Sequence, residues 1–308
     1  KIKPLRNERF FIFRIELIFR FKTNQLITEI KEILFENIQE KVISVETLSG
    51  GDINFVYKCE LENQTVVIKI NDKDLYPEMF EKEKLGLKLL SNSSFVIPKV
   101  LSVGQKNKKA YIIMEYIRKA KPFNWELFGR NLAFLHNTNN HTFGLNHDNY
   151  IGSLEQINES KDSWVDFYLE NRILYLIEIA IDKGLMEYES VKKMESLSKK
   201  IESIVPKKKP SLLHGDLWSG NLISDLEGNP TLIDPAVYFG HSDIDWAMLH
   251  LFGNPPSHSI DSYNEIIPLD YNWKDSLEVH QLYPLLVHLI LFGKGYYESV
   301  MKIIKKYS

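Results

Sequence analysis

The residues with the clearest chemical potential sit in one short polar loop. LLHGDLWSGNLI, residues 212–223, sets His214, Asp216 and Asn221 between apolar pairs. Asp216 and Asn221 stand five residues apart, and Asp234, in the later segment LIDP, lies eighteen residues beyond Asp216. Phosphoryl transfer needs such a set. One carboxylate must orient an attacking hydroxyl and take its proton. A carboxylate and an amide oxygen must hold Mg2+, a hard cation that prefers oxygen ligands. Leu222-Ile223 and Leu232-Ile233 read as the arms of a β-hairpin turned by LEGNP at 226–230. Its ends would bring Asn221 and Asp234 to one mouth. An aspartate and an asparagine at this spacing are common by themselves. Preceded by His-Gly and followed by a strand ending in aspartate, they form the arrangement of a kinase catalytic loop.

A phosphate-binding cation is the next requirement. Lys69 sits inside the apolar run VVIKI at 66–70. In EMFEKEKLGLKLL at 78–90, Phe80, Leu87 and Leu90 share one helical face with Glu83. A carboxylate on a buried stripe needs a partner, because an unpaired buried charge is costly. Lys69 is the natural one, and the pair would hold the α- and β-phosphates of a nucleotide. Glu78 and Glu81 fall on other faces and read as solvated. Gly50 and Gly51, in SGGDIN at 49–54, would let backbone N–H groups approach phosphates closely. Without Lys69 and Glu83 the same glycines would be an ordinary hairpin turn. Met114, Glu115, Tyr116 and Ile117 end a strand, where the backbone would meet an adenine edge or simply link two lobes.

The elements that must position these residues follow from periodicity. LITEIKEILFENI at 26–38 has a helical stripe. Residues 42–70 are dense in Val and Ile, with turns at Gly50-Gly51 and Glu62-Asn63-Gln64, and predict three antiparallel strands. SFVIPKVLSVG and KAYIIMEYI predict two more. Beyond Ile117 the pattern turns amphipathic and helical, in WELFGRNLAFLHN, DSWVDFYLENRILYLIEIAI, MEYESVKKMESLSKKIESIV and the C-terminal stretch from His280. The chain is thus α+β and bilobal. Residues 25–117 form a small β-rich, nucleotide-binding lobe with one inserted helix. Residues 118–308 form a larger, mainly helical lobe for catalysis and substrate binding, with a cleft between the two. PKKKP at 206–210 reads as a solvated loop.

Residues 1–24 are an extension with no assigned role. RFFIFRIELIFRF at 9–21 is apolar, but Arg14 and Glu16 interrupt it. It is short of the ~20 apolar residues of a spanning helix, and no small-residue cleavage site follows it. A formal net charge of −3 gives no reason to expect nucleic acid or an anionic membrane as partner. One cysteine, Cys59, allows no intrachain disulfide and fits a reducing, cytoplasmic setting.

HGDLWSGN followed by LIDPAVYFG resembles the fructosamine kinase, or ketosamine-3-kinase, family. The resemblance runs from about residue 26 to the end, through GGDIN, MFEKEKLGLKLL, FGLNHDNYIG, WVDFYLENR, DWAMLHLFG, SYNEIIPLD and QLYPLLVHLILFG in order. It implies a protein-kinase-like fold and ATP-dependent phosphorylation of a ketoamine sugar, free or protein-bound, at its 3-hydroxyl, which leads to deglycation. It also implies Asp216 as catalytic base, Asn221 and Asp234 as Mg2+ ligands, and Lys69 as the phosphate-binding lysine. Asp245 matches a family aspartate that braces the catalytic loop; a carboxylate favoured by a helix N-terminus is the plainer reading. Trp218 is a platform for the sugar or else core packing. His214 reads as a loop-fixing hydrogen bonder.

This chain departs from the family pattern in places. Some members carry a cysteine in the Gly-rich turn where this chain has Asp52. Asp234 is followed by Pro-Ala rather than Phe-Gly. NPPSHS after Gly253 and Trp246 in place of a leucine alter the expected substrate surroundings. Two other functions compete: a kinase for another small alcohol, aminoglycoside-like or choline-like, and a nucleotide-binding regulator without catalysis. Presence of the whole set Lys69, Glu83, Asp216, Asn221 and Asp234 weighs against the regulator.

Overall fold

The computed structural model describes residues 25–48, 54–119, 121–192 and 194–307. Gly50, Gly51 and Asp52 lie outside the described residues, as does the extension at 1–24. The chain divides into two compact units, one reaching to residue 75 and including 100–116, the other comprising 76–99 and 117–308.

In the first unit a helix described over 25–38 (α1) precedes five strands. These are β1 (Val42–Thr47), β2 (Phe55–Leu61), β3 (Thr65–Asp72), β4 (Val100–Lys106) and β5 (Lys109–Glu115). They pair antiparallel in the order β1-β2-β3-β5-β4. The stripe expected on α1 is real: Ile30, Ile33 and Leu34 are fully buried against Cys59, Val66, Ile68 and Ile70 of the sheet. Burial drives the Cys59 thiol up to about 12, so this sulfur is inert packing. Side chains alternate across a strand. With Val66, Ile68 and Ile70 turned to α1, Lys69 falls on the opposite face of β3, where it is only 4% exposed.

The strand expected from SFVIPKVLSVG is shorter than predicted. Val96 instead exchanges hydrogen bonds with Pro230 and Leu232 of the second unit, and β4 starts only after Pro98. Proline supplies no N–H to a ladder.

The second unit contains α2 (Met79–Leu90), α3 (Trp125–His136) and the hairpin β6 (Asn149–Ile151) with β7 (Leu154–Gln156). A helical run follows as α4 (Trp164–Tyr168), a π-helical turn (Leu169–Leu174) and α5 (Tyr175–Asp182), then α6 (Glu189–Lys192) and α7 (Met194–Ile204). The short strands β8 (Ser211–Leu213), β9 (Leu222–Ser224), β10 (Pro230–Leu232) and β11 (Tyr238–Gly240) precede α8 (Asp243–Leu251), α9 (Ser257–Asn264), α10 (Trp273–His280), α11 (Leu282–Phe292) and α12 (Tyr297–Tyr307). The stretch DSWVDFYLENRILYLIEIAI is therefore helical as expected, but its middle is wound wider than an α-helix. Helix α2 packs in this unit: Gly86, where a Cβ would lie 3.1 Å from Val237, permits the close approach. Glu81 on that helix is half-buried rather than solvated, and its Oε2 is enclosed without a hydrogen-bond partner. Glu78 is exposed, as expected. Among the described residues, no helix is long and apolar enough to cross a membrane.

PKKKP is not simply a solvated loop. Lys207 and Lys209 are exposed, but the Lys208 ammonium lies 2.8 Å from Oδ1 of the fully buried Asp243 and 3.4 Å from Asp270. Burial alone would raise the Asp243 carboxyl; its close neighbours, with the Lys208 ammonium as the cation among them, outweigh it and hold it well below its usual range. His241, Asp243 and His280 cluster tightly enough to suggest a metal site. Their atoms are already committed, however. Trp164 Nε1 donates to His280 Nε2, and His280 Nδ1 meets Ser276 Oγ, which donates to Asp243. His241 Nε2 meets the Pro206 carbonyl, and its Nδ1 accepts the Asp243 N–H. Lys208 supplies the cation there.

Breaking a buried pair by deleting one member costs roughly 3 kcal/mol or more. Lys208→Met is therefore expected to lower the urea midpoint by that amount of stability, while Lys207→Met stays within about 0.5 kcal/mol of the parent. Equal effects of the two substitutions would remove Lys208 from the network.

Candidate active site

Two short antiparallel pairs build the site. β9 pairs with β10, placing Leu222 opposite Leu232, and β8 pairs with β11, placing Leu213 opposite Tyr238. The chain passes from β8 to β9 through residues 214–221 and from β10 to β11 through 233–237. These two crossings carry every candidate of the opening motif. The hairpin turn is set by Asp225, whose Oδ1 accepts the N–H groups of Glu227 and Asn229, with Gly228 at φ +93°.

The crossings are joined at several points. His214 is fully buried, and its Nε2 meets the Ile233 carbonyl at 2.9 Å while its Nδ1 accepts the Asp216 N–H. Burial lowers its pKa, which suits a neutral ring that donates through Nε2 and accepts through Nδ1. The Ala236 N–H donates to the His214 carbonyl. Gly215 has φ +81°, and a Cβ there would lie 2.0 Å from the Ala236 carbonyl oxygen. The glycine in His-Gly-Asp is thus required twice, by its left-handed backbone and by this contact.

Asp245, in the first turn of α8, is fully buried. Its Oδ2 accepts the His214 N–H at 2.9 Å, its Oδ1 accepts the Gly215 N–H at 3.0 Å, and His136 Nε2 lies 3.2 Å from Oδ2. His136 Nδ1 in turn meets the Tyr263 hydroxyl at 2.9 Å. Neither His136 nor Tyr263 has a role assigned from the sequence, although Tyr263 lies in the resembling segment SYNEIIPLD: they stand 109 residues before Asp245 and 127 residues after His136 respectively.

Asp216, Asn221 and Asp234 are brought together. Asn221 Nδ2 donates to the Asp216 carbonyl at 2.9 Å, to Asp216 Oδ2 at 3.0 Å and to the Asp234 carbonyl at 3.4 Å. Its nitrogen is committed, which leaves the amide oxygen as a ligand atom. Asp234 has φ 54°, a conformation that non-glycine residues adopt mainly where the surroundings impose it. The Asn221 amide oxygen and the Asp234 carboxylate would together make an oxygen-only donor set, which suits Mg2+. Burial pushes the Asp216 carboxyl up to about 7; the Asn221 hydrogen bond opposes this, and the charges of Asp234 and Asp245 add to it. A base poised near neutrality is matched to proton transfer.

Trp218 follows in the same loop and is 38% exposed, so it is not core packing. Its indole lies over Gly220, where a Cβ would come within 2.3 Å of the ring. Trp246, by contrast, is fully buried and cannot touch a substrate. In the first unit Lys69 pairs across the sheet with Val56 and Ile112. Met114 is buried and Glu115 exposed at the end of β5, and the Tyr116 N–H donates to Thr65, with Ile117 following. Glu83 is half-buried on α2.

A sequence model of the fructosamine kinase family matches residues 24–308. The chain belongs to the fructosamine kinase family. It is 36% identical over 261 residues to an Enterococcus faecium protein assigned as a ketoamine kinase, covering 84% of this chain and 93% of that one. A Thermobifida fusca crystal structure, assigned as a fructosamine-3-kinase, is 31% identical with a TM-score of 0.79, covering 89% of this chain and 96% of that one. An aminoglycoside phosphotransferase crystallised with AMP-PNP and hygromycin B shares the fold at a TM-score of 0.60 and 15% identity, covering 90% of this chain and 95% of that one. The α+β, kinase-like architecture expected from the sequence is therefore the observed one. Family membership also makes this fructosamine kinase relative a phosphotransferase.

The raised Asp216 pKa has a consequence for stability. A carboxyl whose folded pKa is about 7 stabilises the fold fully below its unfolded pKa of ~3.9 and loses that contribution as pH rises through 7. Asp216→Asn removes the ionisable group from this half-buried position. In chelator and without nucleotide, the variant is expected to gain stability over the parent by roughly 2 kcal/mol between pH 5 and pH 8. Parallel stability-versus-pH curves for the two proteins would contradict the shift.

Proposed function

We propose that the chain transfers the γ-phosphoryl group of ATP to the 3-hydroxyl of a ketoamine sugar, a fructosamine or ribulosamine on a small or protein-bound amine, and so starts its deglycation. The observation that carries this reading is the convergence of Asp216, Asn221 and Asp234 on two joined chain crossings in a member of this family. Asp216 accepts the proton of the 3-hydroxyl as its oxygen attacks the γ-phosphorus and ADP departs. Asn221 and Asp234 would hold Mg2+, which would supply charge neutralisation at the phosphoryl oxygens. Lys69 would bind the α- and β-phosphates, the role its sequence pairing with Glu83 suggests, and the backbone of Met114 to Ile117 would border the adenine; Gly50 and Gly51, the expected phosphate-covering turn, lie outside the described residues. In this scheme residues 25–117 serve the nucleotide and 118–308 the sugar. His214 and Asp245 support the loop and touch no substrate.

Trp218 is the proposed platform for the sugar, since an exposed indole fixed on a glycine offers a flat face to a carbon chain and to a cationic amine. Phosphate at C3 is β to the amine-bearing C1. The C2 carbonyl acidifies the C1 proton, so loss of that proton expels phosphate, and hydrolysis then frees the amine. A single buried thiol with a pKa near 12 is compatible with the cytoplasm as the site of action.

With ATP, Mg2+ and a glycated lysine derivative, the protein is expected to form ADP at once, then phosphate and free lysine after a delay. Asp216→Asn lowers turnover by about 10²–10⁴-fold. ADP formation on choline or an aminoglycoside, with none on any ketoamine, would redirect the substrate assignment.

For the metal, Asp234→Asn is the informative change, because asparagine tolerates the left-handed backbone that alanine resists. It is expected to raise the Mg2+ concentration for half-maximal rate by about tenfold or more. An unchanged Mg2+ requirement would exclude Asp234 as a ligand.

A further inference from the structure

Residues 149–172 take no part in the chemistry above, yet they bury an uncommon group of polar side chains. Asn149, Gln156, Asn158 and Arg172 are all at most 4% exposed. Two of them reach the chain just after Asp234. Asn149 Nδ2 donates to the Val237 carbonyl at 2.8 Å, and Gln156 Nε2 to the Ala236 carbonyl at 3.1 Å.

Their orientation is set from behind. Arg172 Nη2 donates to Asn158 Oδ1 at 2.8 Å, and Nη1 donates to the carbonyls of Ile157 and Asn171. Its guanidinium lies over the rings of Tyr238 and Phe167, at 4.2 and 4.6 Å from their centroids. Among the described residues no carboxylate forms a salt bridge with it. Burying a cation without an anion is costly, so the guanidinium must do something a neutral side chain would not.

A guanidinium can only donate. Facing Arg172, Asn158 must present its oxygen, which turns its Nδ2 to Asn149 Oδ1 at 2.9 Å. Asn149 Oδ1 is then an acceptor, also for Gln156 Nε2 at 2.7 Å, and the Asn149 nitrogen is left for Val237. The Tyr283 hydroxyl donates to Gln156 Oε1, and the Gln156 nitrogen goes to Asn149 and to the acceptor-only Ala236 carbonyl. The donor-only guanidinium at the head and the acceptor-only carbonyls of His147, Ala236 and Val237 thus agree on one direction for the whole chain of amides. The π-helical turn assists: Asn171 reaches the Glu159 carbonyl while the adjacent Arg172 reaches 157 and 158. Such wide turns recur at functional sites.

We propose that Arg172, acting through Asn158, Asn149 and Gln156, is a positioning device for the Asp234 segment. The chain ends on the carbonyls of Ala236 and Val237. Ala236 also donates to His214, and its carbonyl abuts Gly215. Holding these two peptides in one orientation sets Asp234 and the turn before Asp216 together. This rests on the reading of Asp216 and Asp234 as the reacting set.

The test uses the full chain with Gln156→Met, which removes the donor at nearly constant shape, and Tyr283→Phe, which releases the lock on Gln156 with little loss of volume. Turnover, KM for ATP and the sugar, and amide hydrogen exchange are measured together. Turnover is expected to fall about 10–100-fold in Gln156→Met and less in Tyr283→Phe, with KM for ATP within about twofold. Exchange at the Ala236 amide is expected to quicken about tenfold or more while exchange in α12 stays as in the parent. Unchanged turnover in both variants, unchanged exchange at Ala236, or equal quickening in α12 would each overturn the proposal. If the parent protein phosphorylates no ketoamine, the substrate reading fails by itself, and the exchange measurements still decide whether the amide chain holds Ala236.

Discussion

The arrangement of this site depends on where one buried carboxylate puts its two oxygens. Asp245 accepts the backbone N–H groups of His214 and Gly215, and those peptides begin the turn that carries Asp216. A carboxylate accepting charge-assisted hydrogen bonds from two successive peptides fixes their planes far more tightly than packing could. His136 and Tyr263 complete the shell around it, so a carboxylate at 0% exposure is not left unsatisfied. The loop crosses from β8 to β9 with its geometry imposed by a helix that comes later in the chain.

The same helix start bears a second buried carboxylate used quite differently. Asp243 is compensated by Lys208 and Ser276 and serves the packing of α8 and α10. Asp245, two residues on, faces the catalytic loop. Both benefit from the partial positive charge at the N-terminus of α8, yet their partners separate a structural carboxylate from a positioning one. Arg172 presents the converse case, a buried cation whose partners are oxygens of amides and peptides rather than of acids. In each case the group fixes direction through what it can donate or accept.

The acids themselves are crowded. Burial raises Asp216 to about 7, and the charges of Asp234 and Asp245 add to the rise. A negative charge on Asp216 is disfavoured there, and a nearby divalent cation would relieve it. The left-handed Asp234 is consistent with a site in which local strain is held by surrounding bonds. These are properties expected of a phosphotransferase in this family, and they arise from side chains spread over much of the second unit.

What the sequence determined was local. The apolar run VVIKI gave the strand that carries Lys69, and the stripe on 26–38 gave α1, because side-chain period follows directly from backbone geometry. The glycine of His-Gly-Asp, the hairpin at 222–232 and the clustering of Asp216, Asn221 and Asp234 could be read from residues less than twenty apart. Tertiary structure decided the rest. That Lys208 is half-buried rather than solvated, that Glu81 is enclosed, and that β4 starts after Pro98 depend on what lies opposite each segment. Nothing local singles out His136 and Gln156, and Asn149, Arg172 and Tyr263 lie in segments that resemble the family without a role attached to them. Hydrogen-bond partners 80 to 127 residues apart leave no trace in periodicity, because the cost of leaving a donor or acceptor unpaired arises only once the fold has excluded water.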